Sequence, residues 1–191
     1  SPHASIFEQL QARVEFGEFQ PFLPFRIARI LPAGNTTFRR NIIEKFSYSK
    51  LLRSAEDVVM SDQLTRAGHT LYFDPKVMVT YEAKKSWASC VKHLYGLGFH
   101  SALARREYDL SGSWLVKFRI IALLLLPYRI VKFYGLNFRF NPSAIPWLIL
   151  VIPVYLFLFS AWTLGFYIGL SPSSALGLKN SIEYREYRVT I

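Results

Sequence analysis

Cysteine is almost absent from this chain, since Cys90 is the only one among 191 residues. An intrachain disulfide is therefore impossible, and a zinc site built on cysteines is excluded. The four histidines, His3, His69, His93 and His100, do not follow HExxH or any similar metal-binding spacing. We expect no transition-metal site made by this chain alone.

Acidic residues are also few: thirteen Asp and Glu stand against twenty-three Lys and Arg, which gives a formal net charge of +10. Such an excess suits nucleic acid, an anionic membrane surface or a phosphate-bearing substrate. Much of the positive charge lies beside apolar segments, and the chain carries no recognisable nucleic-acid module. We therefore expect membrane lipids, and not nucleic acid, as partners.

Charge is missing altogether from Ile145 to Leu170. At about 1.5 Å per helical residue this stretch exceeds the ~30 Å hydrocarbon core of a bilayer, so it predicts a transmembrane helix within residues 141–172. The uncharged run Ile120–Tyr128 is shorter and has cations on both sides. Residues 111–140 therefore form either a first transmembrane helix, with its cations snorkelling, or an interfacial helix.

The distribution of Lys and Arg predicts the orientation. By the positive-inside rule the soluble part is cytoplasmic whether one segment spans or two. The tail at 173–191 is then cytoplasmic with two spans and external with one. The sequence thus predicts an integral protein of the cell inner membrane.

The first 110 residues show patterns of a soluble domain. Apolar spacing predicts an amphipathic helix over Ser5–Val14. Ser54 fits a capping box in which Asp57, at the third helical position, reaches back to it, and the helix would end at Gly68. His69–Tyr81 predicts two short strands about a turn, or one bent strand. Helix, glycine and strand in close succession are typical of an α/β layer.

A basic helical pattern follows from Ser86 to Arg106. Gly96 and Gly98 lie in its middle, where they predict a break or a close helix contact. Arg105 and Arg106 at its end either bind lipid headgroups or contact a substrate phosphate.

Glu56 and Asp57 are the residues that suggest chemistry, because two adjacent carboxylates lie between basic segments. The alternative is structural, since a carboxylate at a helix start is stabilised by the helix dipole. The segment AGNTTFRR, residues 33–40, offers Asn35, Arg39 and Arg40 for a polar or phosphate-bearing ligand. It is alternatively a turn into a helix beginning near Thr37, with both arginines solvated.

These features in this order resemble the carboxyl-terminal half of membrane-bound family 2 glycosyltransferases. AGNTTFRR is similar to the Gly-Asn-then-Arg-Arg segment of that family. AEDVVMSDQLTRAGHTLYFDPKVMVTYE is similar to its Glu-Asp helix, glycine and strand with Asp-Pro. A basic YGLGFHSALARR segment and terminal membrane helices follow, so the likeness covers about residues 30 to 170.

The resemblance implies a partial α/β domain of the GT-A fold over residues 1–110, followed by transmembrane helices. It further implies an inverting glycosyltransferase that moves a sugar from a nucleotide sugar to a lipid-linked or envelope-glycan acceptor. Asp57 would be the general base on the acceptor hydroxyl, with Glu56 as helper or second candidate. Asn35, Arg39, Arg40, Arg105 and Arg106 would contact acceptor or phosphate. A divalent cation, Mg or Mn, is expected in the complete enzyme.

Three departures from the family pattern limit what this chain does alone. It has no Asp-x-Asp, so the donor-binding half and its metal motif are missing. Tyr81 stands where relatives often have a histidine, and no Gln-x-x-Arg-Trp motif supports processive synthesis. The alternative hypothesis is a non-catalytic membrane-anchored protein whose basic cytoplasmic domain binds anionic lipid or a partner protein.

Overall fold

Helices dominate the structure. The computed structural model describes residues 6–46, 48, 52, 54–79 and 86–171, and 67% of these are helical. The α-helices are α1 (Ile6–Glu15), α2 (Arg40–Ile43), α3 (Glu56–Arg66), α4 (Trp87–Glu107), α5 (Leu125–Phe140), α6 (Ile145–Leu150) and α7 (Ile152–Gly169). Short 3-10 helices lie at Gly17–Phe19, Ala33–Asn35, Ser113–Val116, Arg119–Leu124 and Pro142–Ala144.

The described residues contain two strands, β1 (Arg26–Ala28) and β2 (Leu71–Phe73), which pair antiparallel with Arg26 opposite Phe73. The predicted α/β fold of the GT-A type is therefore wrong. The sequence pattern overestimated strand content because a turn at Pro75 ends β2, and the apolar residues 77–79 beyond it are exposed and unpaired in any sheet. A strand needs partners on its edges, and local alternation does not supply them.

Two predicted helices of the first part are confirmed. The helix expected over Ser5–Val14 is α1, and the one expected to end at Gly68 is α3. Gly68 has φ of +86°, and its N–H donates to the carbonyl of Thr65 while that of His69 donates to Leu64. This is the Schellman arrangement, which a glycine in the left-handed region permits.

The basic helix α4 is continuous, so the break considered at its glycines is absent and the close helix contact is present. The helices α4 and α7 run in the same direction, because Tyr95 lies against Gly165 and Phe99 against Gly169. A Cβ added to Gly98 would come within 2.0 Å of the carbonyl oxygen of Trp162. Small residues on both helices thus let the two backbones touch.

The long uncharged stretch after Ile145 is not one helix. It divides at Val151 into α6 and α7, each with a proline, Pro146 or Pro153, in its first two positions. Proline is accepted there because the first helical N–H groups have no partner, whereas inside a helix its ring clashes with the preceding turn. Asn141 ends α5 and leads into α6, and Asn137 is a buried residue of α5.

Two helices are long and apolar enough to cross a membrane, namely Arg119–Phe140 with 22 residues and Ile152–Gly169 with 18. At about 1.5 Å per residue they measure close to the ~30 Å of a bilayer core. Large apolar side chains on both are exposed, for example Val131, Phe138 and Phe157. The structure therefore supports the predicted association of the chain with a membrane.

The acidic helix α3 packs on the carboxyl-terminal half of α4. Val59 of α3 forms one buried cluster with Leu103 and Ala104 of α4. The Glu56-Asp57 pair is in this way fixed to the same helix that lies along α7. Tyr81 and the tail at 173–191, both addressed by the sequence predictions, lie outside the described residues.

Candidate functional site

The start of α3 has an unusual backbone. Ala55 immediately precedes the helix with φ of +70°, and it is the only non-glycine residue with positive φ in the part of the chain that the structure describes. A left-handed L-residue costs roughly 1–2 kcal/mol, so it persists where surrounding contacts fix it. Ala55 is buried in the cluster with Leu52 and Val59. The strain lies directly beside the two candidate catalytic carboxylates.

The predicted capping box is wrong. The residue that caps α3 is Ala55, no side chain bonds there, and the helix begins at Glu56, so that Asp57 occupies its second position. Ser54 lies too early in the chain to be the cap. The carboxylate of Asp57 therefore does not make the capping-box hydrogen bond that the sequence predicted for it.

Asp57 instead makes contact with residues 33–35, here called the AGN segment. Its Oδ2 accepts a hydrogen bond from the backbone N–H of Ala33 at 3.4 Å, and its Oδ1 accepts one from Val58 at 2.8 Å. A second bond ties the neighbouring chain to the same helix, since the N–H of Leu31 donates to Ser61 Oγ at 3.1 Å. Residues 24 positions apart are thereby brought together at one site.

Burial governs the protonation of Asp57. Desolvation raises the pKa of this carboxyl above its ordinary value, and the negative charge of Glu56 adds to the rise. The hydrogen bonds from Val58 and Ala33 lower the pKa but do not cancel the effect of burial. A carboxylate whose pKa lies above the usual value is a stronger base, which is the property that general-base catalysis needs.

Two further groups complete the electrostatic picture. The Oε2 atom of Glu56 is buried and accepts no hydrogen bond from the described residues. The pKa of the Tyr48 phenol is raised, first by burial and then by the charges of Asp57 and Glu56, so this phenol lies near both carboxylates. Sequence reasoning missed Tyr48, because no periodicity or motif links it to the acidic pair.

The AGN segment behaves only partly as expected. The amide of Asn35 donates from Nδ2 to the carbonyl of Val77 at 3.0 Å, which joins this segment to the chain after β2. A Cβ added at Gly34 would meet nothing within 4 Å among the described residues, so no close contact requires a glycine there. The segment therefore reaches Asp57 through the backbone of Ala33.

The four candidate arginines are placed elsewhere. Arg39 is exposed at the start of α2, and Arg40 forms an exposed ion pair with Glu44 at 2.8 Å. Arg105 donates to the carbonyls of Ser101 and Ser111, and Arg106 donates to that of Ser171. Burial lowers the pKa of Arg105. Arg40, Arg105 and Arg106 therefore contact residues near the ends of helices, and none of these contacts involves Asp57.

The divalent cation implied by the resemblance finds no ligand set here. Over residues 6–46, 48, 52, 54–79 and 86–171, no group of three or more His, Cys, Asp or Glu could hold an ion. We therefore assign no step to a metal ion.

No protein-family model, no curated protein and no solved structure matches this chain. The likeness to family 2 glycosyltransferases accordingly rests on the residues themselves. The structure adds a strained helix start that carries two carboxylates. The pKa of Asp57 is raised, and Glu56 has a buried oxygen that accepts no hydrogen bond from the described residues.

Proposed function

We propose that this chain provides the acceptor-activating carboxylate and the membrane anchor of an inverting glycosyltransferase that uses a nucleotide sugar. The observation that supports this most is the state of Asp57. A half-buried carboxylate with a raised pKa, two residues after a strained one, suits a general base better than a helix cap. The nucleotide-sugar site is assigned to a part of the enzyme other than the described residues.

In the proposed reaction Asp57 accepts the proton of the acceptor hydroxyl. The hydroxyl oxygen then forms a bond to the anomeric carbon of the sugar, while the bond from that carbon to the diphosphate breaks on the opposite face. The nucleoside diphosphate leaves with the bonding electron pair, and the configuration inverts. A positioned general base contributes typically about 10²–10⁴-fold to such a step.

Glu56 has a supporting part in this proposal. Its Oε2 is buried and has no hydrogen-bond donor among the described residues, so a ligand hydroxyl that donates to it is bound favourably. A glycan or lipid-linked glycan acceptor carries many hydroxyls. Glu56 would thus hold one acceptor hydroxyl while Asp57 deprotonates its neighbour.

The two apolar helices would place this site at a membrane surface. With both helices spanning, α3 faces the cytoplasm by the positive-inside rule, where nucleotide sugars are made available to inner-membrane enzymes. A lipid-linked or envelope-glycan acceptor at the membrane surface fits that position.

The test compares two carboxylates of one helix in the full-length gene product. Release of nucleoside diphosphate from a panel of nucleotide sugars is measured in membranes that contain the wild type, Asp57→Asn or Asp62→Asn. Asp62 lies on α3 in an ion pair with Arg66 at 2.7 Å, so it controls for loss of charge. We expect Asp57→Asn to lose about 10²–10⁴-fold in rate and Asp62→Asn to stay near the wild-type rate.

The competing hypothesis of a non-catalytic membrane protein makes a different prediction. It expects no release with any donor, and equal behaviour of both variants. A wild type without activity, or an Asp57→Asn variant with normal activity, would overturn the glycosyltransferase proposal.

A further inference from the structure

One face of the helical segment Arg119–Phe140 is apolar and exposed. Four residues form this face, here called the apolar stripe, and each is more than half exposed: Leu124, Tyr128, Val131 and Phe138. They follow one another at intervals of four, three and seven positions, so they lie along one side of the helix. The opposite side carries the buried residues Phe133 and Asn137. Such a helix either crosses a bilayer or lies along its surface with the stripe in lipid.

Elements that precede this segment in the chain contact it at both of its ends. Near the start, Ala122 lies in one buried cluster with Ala102 of α4. Near the end, Phe140 packs against the cluster that contains Ala28 of β1 and Phe73 of β2. At about 1.5 Å per residue the stretch from 122 to 140 measures about 27 Å, which is close to the thickness of a bilayer core. If the segment crossed a bilayer, α4 and the sheet would contact it near opposite faces.

The acidic helix α3 joins these two contact regions. Its Val59 forms a buried cluster with Leu103 of α4, and its Leu64 forms another with Leu71 of β2. This helix has 11 residues, which corresponds to about 16 Å, so it does not reach across a ~30 Å hydrocarbon core. The two ends of the segment therefore belong to one side of a membrane.

An ion pair within one turn of the middle of the segment leads to the same conclusion. Lys132 Nζ lies 2.7 Å from Glu18 Oε1, and the two side chains are 38% and 51% exposed. In a crossing helix this partly exposed pair would face hydrocarbon, which is costly for both charges. At a membrane surface the same pair keeps its contact with water.

The helix α7 has the same orientation as the segment, because the two lie side by side. Phe133 lies against Tyr155 near the start of α7, with ring centroids 4.7 Å apart, and Ala122 shares a buried cluster with Phe166 near its end. Tyr155 also lies in one cluster with Leu10 of α1. The argument that applies to the segment therefore applies to α7.

The charges around the apolar stripe suit an anionic surface. The sequence contains no acidic residue between Asp109 and Glu183. Lys117, just before the segment, and Arg139, near its end, are both exposed. Cations beside an apolar helix face contact the phosphates of lipid headgroups while the apolar side chains enter the boundary of the acyl region.

We propose that the segment Arg119–Phe140 lies along the surface of an anionic bilayer with its apolar stripe in lipid, and that neither this segment nor α7 crosses the bilayer. Lys117 and Arg139 then contact lipid phosphates from the two ends of the stripe. The proposed glycosyl transfer requires only that the start of α3 lies at a membrane surface, so it does not depend on this arrangement.

The first test determines on which side of a membrane three positions lie. The 191-residue chain with Cys90→Ala receives a single cysteine as Gln63→Cys on α3, Ser143→Cys after α5 or Ser171→Cys after α7. A membrane-impermeant maleimide is added to sealed inner-membrane vesicles whose cytoplasmic face points outward, before and after detergent. We expect all three cysteines to react from the same side.

Two labelling patterns overturn the proposal. If Ser143→Cys reacts only after detergent while Gln63→Cys and Ser171→Cys react before it, both helices cross. If Ser171→Cys alone needs detergent, only α7 crosses. Neither pattern bears on the catalytic part of Asp57, which the activity assay of Asp57→Asn tests separately.

The second test asks what covers the apolar stripe. Flotation with vesicles of phosphatidylglycerol or of phosphatidylcholine measures binding of the purified chain after detergent is removed. Val131→Asp places a charge in the stripe, and Ile43→Asp places the same charge at an exposed apolar residue of α2 as a matched control. We expect Val131→Asp to weaken binding by about tenfold or more and Ile43→Asp by less than about twofold. The wild type should prefer phosphatidylglycerol by at least about fivefold.

The other outcomes of this second test count against the proposal. Equal binding of the two lipids by the wild type overturns it, and this comparison needs no variant. Equal binding by Val131→Asp and Ile43→Asp overturns it as well, and Phe138→Asp replaces Val131→Asp if the latter does not fold. A wild type that is dimeric and a Val131→Asp variant that is monomeric but binds lipid normally would assign the stripe to a second copy of the chain, and would overturn the proposal too.

Discussion

Two glycines of α4 should respond in opposite ways to the same substitution. Gly96 and Gly98 lie two residues apart within one continuous helix. A Cβ at Gly96 meets nothing within 4 Å, whereas a Cβ at Gly98 lies 2.0 Å from the carbonyl oxygen of Trp162 and 2.9 Å from the N of Phe166. We therefore expect Gly96→Ala to stabilise the chain and Gly98→Ala to destabilise it.

The magnitude follows from the kind of atom that blocks the new methyl group. Overpacking costs typically about 1–3 kcal/mol when side chains can adjust. At Gly98 the obstacle is backbone, which cannot rotate away from the new methyl group, so the cost lies at the upper end of that range. We expect a cost of about 3 kcal/mol, reduced by the roughly 1 kcal/mol that alanine gains over glycine in a helix.

Gly96→Ala keeps only the favourable part of this change, a gain of up to about 1 kcal/mol in the free energy of unfolding. The two variants should then differ by about 3 kcal/mol, or about 6–12 °C in Tm for a chain of this size. Thermal unfolding in detergent, followed by near-ultraviolet circular dichroism, measures the difference. A Gly98→Ala variant that melts at or above the wild-type temperature would refute the backbone contact between α4 and α7.

Three further predictions concern single residues. The folded chain binds a proton at Asp57 more tightly than the unfolded chain, so the stability that this group contributes is full below about pH 4 and is lost as the pH rises through the raised pKa. Asp57→Asn should remove that decline. A Tm–pH profile of the variant identical to that of the wild type between about pH 4 and 7 would contradict the prediction. Burial raises the pKa of Cys90 to about 11, so maleimide at about pH 8 should leave it unlabelled until the chain is unfolded, and labelling of the folded chain would show that Cys90 is accessible. Ser86 Oγ accepts from the N–H of Ser89 at 3.2 Å, so Ser86→Ala should cost about 0.5–2 kcal/mol on chemical denaturation, while Ser86→Asp, which keeps a capping oxygen, should cost much less.

Local features of the fold were predictable from the sequence. The spacing of apolar residues indicates α1, the left-handed glycine at Gly68 ends α3, and the lack of charge after Ile145 predicts an apolar helix. In each case the cause lies within a few neighbouring residues: the helical period, the freedom of glycine, or the cost of charge in lipid.

The fold class failed because it depended on partners for the strands. Alternation over His69–Tyr81 predicted strand structure, yet within residues 69–79, the described part of this range, a strand forms only at Leu71–Phe73, where residues from Arg26 to Ala28 lie alongside. The capping box at Ser54 failed for a related reason. The turn before α3 is set by burial of Ala55 against other segments, and this burial favours a left-handed residue that no local propensity predicts.

The candidate site, too, was predictable from the sequence only in part, and the tertiary structure decided the rest. Glu56 and Asp57 were recognisable in the sequence as adjacent carboxylates in a cationic chain, and Asn35 and the arginines were candidates by type alone. The tertiary structure decided that Ala33 reaches Asp57, that Tyr48 lies near the pair, and that Arg105 and Arg106 are engaged with backbone carbonyls.

The sequence by itself determined which segments are helical, which are apolar enough for lipid, and where carboxylates are concentrated, because these follow from residue type and spacing. Only the tertiary structure decided that α4 and α7 touch through glycine and that the Nε atom of Arg129 is buried with no hydrogen-bond acceptor among the described residues. Both depend on how closely distant backbones approach, and on which polar atoms that approach removes from water. Periodicity along the chain carries no record of either.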